Sequence, residues 1–262
     1  MLYKEFQILL TAFMFYTRIN LGKRVNYKAE YAKACTKYLP FIGWVVGGFS
    51  AGVYVISATV FSSITAIILS ILSTILLTGG FHEDGLADTC DGFGGGWTKE
   101  KILHIMKDST IGTYGALGLI FLLGLKVSLL YELYVQTSLT PLVLMTIIAH
   151  TLSRFMATMF LVTHDYSGSA EQSKSKDMIQ KTPYSFLILP GVLTLIPLGL
   201  LAIYQDSFTI VLFILPALCF KMLLGRYFKK WIDGYTGDCL GATQQITEVV
   251  IYLTSVVLWP YI

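Results

Sequence analysis

Apolar runs broken by short polar stretches fill most of the chain. Seven of them approach the ~20 residues that a helix needs to cross a bilayer. They lie at about 39–61, 62–81, 111–131, 141–162, 184–204, 207–224 and 243–260. Before them, Leu2, Phe6, Leu9, Leu10, Phe13 and Tyr16 recur at helical spacing among Lys4, Glu5, Gln7 and Thr11. That pattern predicts an amphipathic helix over 2–19, lying on or dipping into the membrane surface, with a short first span as the alternative. Gly43, Gly47, Gly48 and Gly52 suit the first long run to close helix–helix association, within the chain or between copies in a homo-oligomer. Pro190, Pro197 and Pro216 predict kinks in the fifth and sixth runs.

Composition supports this reading. The 262 residues are 55% hydrophobic and only 13% charged, where a soluble domain carries roughly 25% charged residues. The expected class is an all-α, polytopic helical membrane protein, and no linker divides residues 1–262 into separate domains. A net charge of +3 gives no ground for a nucleic-acid partner; the partner it implies is the lipid bilayer. Cys35, Cys90, Cys219 and Cys239 have neither zinc-site nor disulfide spacing, and no cleaved signal peptide is expected at the start.

The basic residues fix an orientation. Lys4, Arg18, Lys23, Arg24, Lys28, Lys33 and Lys37 precede the first run, and Lys99, Lys101 and Lys107 follow the second. Lys174, Lys176 and Lys181 follow the fourth, and Lys221, Arg226, Lys229 and Lys230 lie at or beyond the end of the sixth. The turns near 61, 132–140 and 205 carry no Lys or Arg. This alternation predicts a cytoplasmic N-terminus and puts every long polar loop in the cytoplasm.

One of those loops is unusual. Residues 79–96 hold four of the 16 acidic residues, Glu83, Asp84, Asp88 and Asp91, with no Lys or Arg beside them. If 82–92 is helical, Asp84, Asp88 and Asp91 fall within a sector of roughly 60°. Carboxylates so grouped repel unless a cation joins them, and hard oxygen ligands favour Mg²⁺ or Ca²⁺. Magnesium commonly bridges carboxylates to substrate phosphates, so the expectation is a phosphate-handling metal site at the cytoplasmic edge. The competing reading is an acidic loop that is merely solvated. Glu83 points about 100° away from Asp84 and is the weaker ligand.

Gly92 to Gly96 are expected to break that helix, and Gly85, Gly92, Gly94 and Gly95 to let a substrate approach the backbone, a plain turn being the alternative. His82 is a candidate base or a structural histidine. Lys107 and Asp108 precede the third run, and Thr236 and Asp238 the seventh, which adds a cation, two carboxylates and a hydroxyl on the same side. Arg154, roughly 12 Å inside the fourth run, calls for a partner, either a substrate phosphate or a carboxylate. Lys126 is more central, with Glu132 a possible neutralising neighbour. No run carries an acid near its centre, which disfavours a cation transporter. His164, Asp165 and Tyr166 sit at a membrane exit, suited to headgroups.

The run Gly79-Gly80-Phe81-His82-Glu83-Asp84-Gly85-Leu86-Ala87-Asp88-Thr89-Cys90-Asp91-Gly92 resembles the signature of the cobalamin synthase (adenosylcobinamide-GDP ribazoletransferase) family. The resemblance continues through Ile105-Met106-Lys107-Asp108-Ser109-Thr110-Ile111-Gly112-Thr113-Tyr114-Gly115, Ser153-Arg154 and Thr236-Gly237-Asp238-Cys239-Leu240-Gly241-Ala242. Phe15-Tyr16-Thr17-Arg18 and Tyr38-Leu39-Pro40-Phe41-Ile42-Gly43 add to it. It implies a Mg²⁺-dependent transferase in a bacterial or archaeal cytoplasmic (inner) membrane. That enzyme joins adenosylcobinamide-GDP to α-ribazole or its 5′-phosphate and releases GMP. On this reading Asp84, Asp88 and Asp91 hold the metal, and Lys107 or Arg154 clamps the phosphates. Asp108, Asp238 or His82 takes the hydroxyl proton or completes a second metal site, and Cys90 is the covalent alternative. A different Mg²⁺-dependent membrane transferase, CDP-alcohol phosphotransferase-like or prenyltransferase-like, is the runner-up; the spacing of the aspartates departs from both.

Overall fold

The computed structural model describes residues 2–26, 28–167 and 182–261. Helices dominate them, and the only β pairing among the described residues is a single bridge between Tyr166 and Tyr235. Lys174, Lys176 and Lys181 lie outside the described residues. In chain order the helices are α1 (Leu2–Tyr16), α2 (Ala29–Ala34), α3 (Leu39–Ser57), α4 (Ser63–Thr78), α5 (Phe81–Gly95) and α6 (Lys99–Ile105). Then come α7 (Thr113–Gln136), α8 (Leu139–Thr158), α9 (Phe160–Thr163), α10 (Ile188–Gln205), α11 (Ile214–Ile232) and α12 (Gly237–Leu258).

The N-terminal helix is present, ending at Tyr16. Ile8, Ala12 and Tyr16, four residues apart, turn inward onto Tyr31, Cys35, Leu39 and Ile42, while Leu2, Tyr3 and Phe6 stay exposed. Its 15 residues span only about 22 Å, short of a bilayer core, so it fits the surface-lying reading rather than the short first span.

Five helical segments are long and apolar enough to cross a membrane: Ala29–Ser57, Thr113–Gln136, Leu139–Thr163, Tyr184–Gln205 and Val211–Ile232. Counting α4 and α5 as one broken span makes six, against the seven expected. The seventh candidate, α12, starts earlier than expected and does not qualify, because Gln244, Gln245, Thr247 and Glu248 interrupt its apolar surface. Segment Leu139–Thr163 is the central member, with 72% of its apolar window buried, against 22% for Thr113–Gln136. Helix α7 instead presents Leu117, Ile120, Phe121 and Leu125 outward, a surface suited to lipid.

Close approach holds the bundle together, since apolar burial gives little drive between helices in lipid. A Cβ on Gly43 would come within 2.6 Å of the His150 carbonyl oxygen, and one on Gly47 within 2.8 Å of the Ile147 Cα. These two glycines let α3 lie against α8. Gly48 and Gly52 have nothing within 4 Å and take no part in the contact. Pro190 and Pro216 fall in the first turns of α10 and α11, where a missing N–H costs nothing. Only Pro197 is interior to its helix.

The joint between α4 and α5 positions the acidic stretch. Gly79 and Gly80 are both left-handed (φ +71° and +69°), a conformation that side chains with a Cβ resist. They turn the chain by 90°. Arg18 closes over the joint: its backbone N–H donates to the Leu77 carbonyl at 2.7 Å, and its guanidinium fills the place a Gly79 side chain would take. Helix α4 is the apolar arm of this joint. Helix α5, polar and turned off that axis, lies outside the five spans and packs against α7 and α12.

Candidate active site

Helix α5 runs unbroken through Gly95, so Gly92 to Gly95 do not form the expected loop; Gly96 is the cap. Packing decides this. The Cβ direction of Gly92 meets Met106 and Ile102, that of Gly94 meets the Tyr114 ring, and that of Gly95 meets Ile105. The glycines give α6 and α7 room to close on α5 without unwinding it. Gly85 does the same for α12, where an added Cβ would stand 3.0 Å from the Asp238 backbone.

That contact carries Asp238 to the outer face of α5. Thr236 caps α12 by accepting the Cys239 N–H at 3.3 Å, and its hydroxyl lies 3.4 Å from Asp238 Oδ2. Asp238 thus sits in the first turn of α12 rather than in a loop before it. Asp84 is exposed, and Asp88 and Asp238 are half-buried. Burial first, then the charges of Asp238, Asp84 and Asp91, push Asp88 up to about 7. Asp238 is pushed up to about 6, mainly by burial, with Asp84 adding to it. No ion pair among the described residues joins any of these four carboxylates to a basic side chain.

Asp91 has a second task. The Gly112 N–H donates to its Oδ2 at 2.7 Å and the Gly115 N–H to its Oδ1 at 2.8 Å. It ties α5 to the N-terminus of α7, where a negative charge is favoured, and each oxygen keeps a further lone pair. Lys107 and Asp108 are exposed in the loop leading to that terminus. Asp108 is turned back on its own loop, accepting from the Thr110 N–H at 3.0 Å and hydroxyl at 2.7 Å, which holds its carboxyl below the usual range.

A second polar set lies on the inner side of α5, and the sequence reading missed most of it. Glu248, near the middle of α12, is 2% exposed and pairs with Lys126 at 2.8 Å. Lys126 also donates to Gln245 at 2.7 Å, so its partner is Glu248 and not Glu132. Gln244 donates to Glu248 at 2.6 Å, and His150 Nδ1 lies 3.3 Å from the same carboxylate. Gln245 donates to Glu83 at 2.9 Å, which ties α5 into the set. Arg154, 2% exposed, donates to the His150 carbonyl at 2.9 Å. His82 is buried within electrostatic reach of Arg154, Glu248, Lys126 and His150. Arg154 and His82 therefore stand with the inner set, apart from the outer aspartates. Two buried polar atoms here, Glu83 Oε2 and Arg154 Nε, have no hydrogen-bond partner. The expectation that no run carries an acid near its centre does not hold for α12, whose middle holds Glu248. The signal available in the sequence was the polar trio Gln244, Gln245 and Glu248 inside an apolar run, since charge at that depth demands a partner.

The outer cluster fits a hard divalent cation by its all-oxygen donor set and its uncompensated charge. Among the described residues no group of three His, Cys, Asp or Glu closes on one point. Magnesium does not need one, because it is commonly held by one or two carboxylates with waters and substrate phosphates. The raised Asp88 has a consequence that can be measured. A carboxyl whose folded-state value lies above its ordinary 3.8 binds more protons folded than unfolded, so its destabilisation grows as pH rises towards about 7. In the absence of a divalent cation, Tm should fall between pH 5 and pH 8. Added Mg²⁺ should raise Tm more at pH 8 than at pH 6, and equal shifts at both would count against a cation on Asp88.

A helical, multi-pass bundle with an acidic helix laid against the N-termini of two others defines a membrane protein with a charged site at one end. Residues 8–256 match the model of the cobalamin-5-phosphate synthase family, and the chain belongs to that family. An adenosylcobinamide-GDP ribazoletransferase of Leptospira interrogans is 40% identical over 98% of both chains. Enzymes of the same name from Shewanella amazonensis and Shewanella piezotolerans are 39% and 42% identical, the first over 98% of this chain and 97% of its own, the second over 95% of each. No solved structure matches.

Proposed function

We propose that this chain joins adenosylcobinamide-GDP to α-ribazole or α-ribazole 5′-phosphate and releases GMP. The observation that carries the reading is the outer cluster of Asp84, Asp88, Asp91 and Asp238 without a basic partner, in a chain whose relatives bear that enzyme name. The acceptor hydroxyl oxygen attacks the phosphorus that stays on the cobinamide. The bond from that phosphorus to GMP breaks, GMP leaves with the electron pair, and the hydroxyl proton goes to a base. Asp238 is the favoured base, since it stands with the cluster and its raised value lets it hold a proton near neutral pH. Asp108 is occupied by Thr110 and His82 faces inward. Asp84 and Asp88, with the free lone pairs of Asp91, would hold Mg²⁺. Bound there, the ion would neutralise charge on the diphosphate and on the leaving group. Lys107, at the head of the loop that Asp91 anchors, is assigned to the phosphates, and Arg154 to the inner set. The distribution of Lys and Arg supports an inner-membrane protein with this end of the bundle in the cytoplasm.

The test is the reaction itself, in lipid nanodiscs, with adenosylcobinamide-GDP, α-ribazole and Mg²⁺. A cobalamin product and GMP in equal amounts, lost with EDTA and restored by Mg²⁺, is the expected result. Turnover of a CDP-alcohol control in their place would transfer the chain to the competing transferase class.

A further inference from the structure

Among the described residues two lysines are buried, and the fold treats them in opposite ways. Lys126, 2% exposed, has Glu248 and Gln245 as partners. Lys221, 3% exposed on α11, forms no ion pair with any carboxylate among the described residues. Its ammonium donates to the Thr163 hydroxyl at 2.7 Å and stands 4.7 Å from the centre of the Phe160 ring. A neutral hydroxyl and a ring face leave most of that charge uncompensated, and an ammonium withdrawn from water without a counter-ion is strongly unfavourable. The surroundings are arranged rather than incidental. His164 Nδ1 lies 2.8 Å from the same Thr163 oxygen, and its ring occupies the space that a Gly225 side chain would fill. Lys221, Gly225 and Phe228 share one face of α11 by their spacing of four and three. Thr163 is exposed and His164 half-buried, so the polar groups next to the ammonium reach the surface.

A chain of aromatic contacts leads from Lys221 towards the segment that carries Asp238. Phe160 bears Lys221 on its ring and stands 5.9 Å from the Tyr235 ring. Tyr235 leads directly into Thr236 and Asp238. Two rings, Phe160 and Tyr235, thus lead from a buried cation with no carboxylate partner among the described residues to the start of the segment that carries Asp238.

We propose that Lys221, with Thr163 and His164, binds the phosphate monoester of the nucleoside acceptor, so that this residue sets the preference for a phosphorylated over an unphosphorylated acceptor. The proposal rests on the ribazole-transfer reading above. A lipid phosphate has the same chemistry, and the arms of the test separate the two sources. In nanodiscs, Lys221→Met keeps the length of the stem and removes the charge, and Lys221→Arg keeps the charge.

Lys221→Met should raise KM for α-ribazole 5′-phosphate at least tenfold and leave KM for α-ribazole within twofold, with Lys221→Arg recovering part of the loss. Its Tm should equal or exceed that of the unaltered protein, because an uncompensated charge has been removed. Inorganic phosphate should raise the Tm of the unaltered protein and not that of Lys221→Met. Equal KM changes for both acceptors, or no change for either, would overturn the proposal. So would a defect that follows the anionic lipid content of the nanodisc whatever the acceptor. If the unaltered protein turns over neither acceptor yet keeps the phosphate-dependent Tm shift, the reaction falls and the nucleoside falls as occupant.

Discussion

Asp84→Asn and Asp88→Asn are each expected to lower turnover about 10²–10⁴-fold, the scale of losing a group that stabilises developing charge or transfers a proton. Both should leave a folded, membrane-inserted protein. Asp84 is exposed and makes no side-chain hydrogen bond among the described residues, and Asp88 carries a cost of burial and repulsion that its amide does not share. Asp91→Asn should behave differently. Its two oxygens accept the Gly112 and Gly115 N–H groups, and an amide has only one oxygen to offer. One backbone donor loses its acceptor, at about 1–3 kcal/mol, so activity and Tm fall together. Parallel assays of turnover and thermal unfolding separate the three. Near-normal activity in both Asp84→Asn and Asp88→Asn would reduce the cluster to a solvated acidic surface.

Glu248→Ala is expected to cost about 3–5 kcal/mol, the scale seen when one partner of a buried ion pair is removed. Lys126 would keep only the Gln245 oxygen, and the Gln244 amide would lose its 2.6 Å acceptor. Replacing both members, as Lys126→Met with Glu248→Met, should recover much of the loss, because apolar packing in place of a buried pair is often neutral or better. Unfolding in detergent reads both variants. A single variant within 1 kcal/mol of the unaltered protein would mean that water reaches the pair.

Much of this was legible in the chain. Long apolar runs placed the helices, and helical spacing put Asp84, Asp88 and Asp91 on one side of a helix that the structure contains. Glu83, set apart by the same spacing, does turn inward. What the spacing does not encode is contact between distant segments. The Lys126–Glu248 pair joins residues far apart in the chain, and only the packing of α7 on α12 brings them together. The glycines show the same limit. Local propensity says that Gly92 to Gly95 should end a helix, yet Met106, Ile102 and Tyr114 occupy the space beside them and the helix continues. Arg154 calls for a substrate phosphate or a carboxylate by its depth in the run, and only the packing shows its guanidinium turned onto the His150 carbonyl.

The joint at Gly79 and Gly80 has a bearing on how tolerant the site is to change in length. Helix α5 is gripped at one end by that joint and at the other by the two N–H groups of α7 on Asp91. Its rotation about its own axis is thereby set. Glu83 and Asp84 are adjacent in sequence but serve opposite environments, one buried inside the bundle and one facing water. Adding or deleting a single residue between the joint and Asp84 would turn the helix by about 100°, presenting the wrong carboxylate to each side. The helix is phased, and the interval from Gly80 to Asp91 cannot drift in length while both sets of charges are kept.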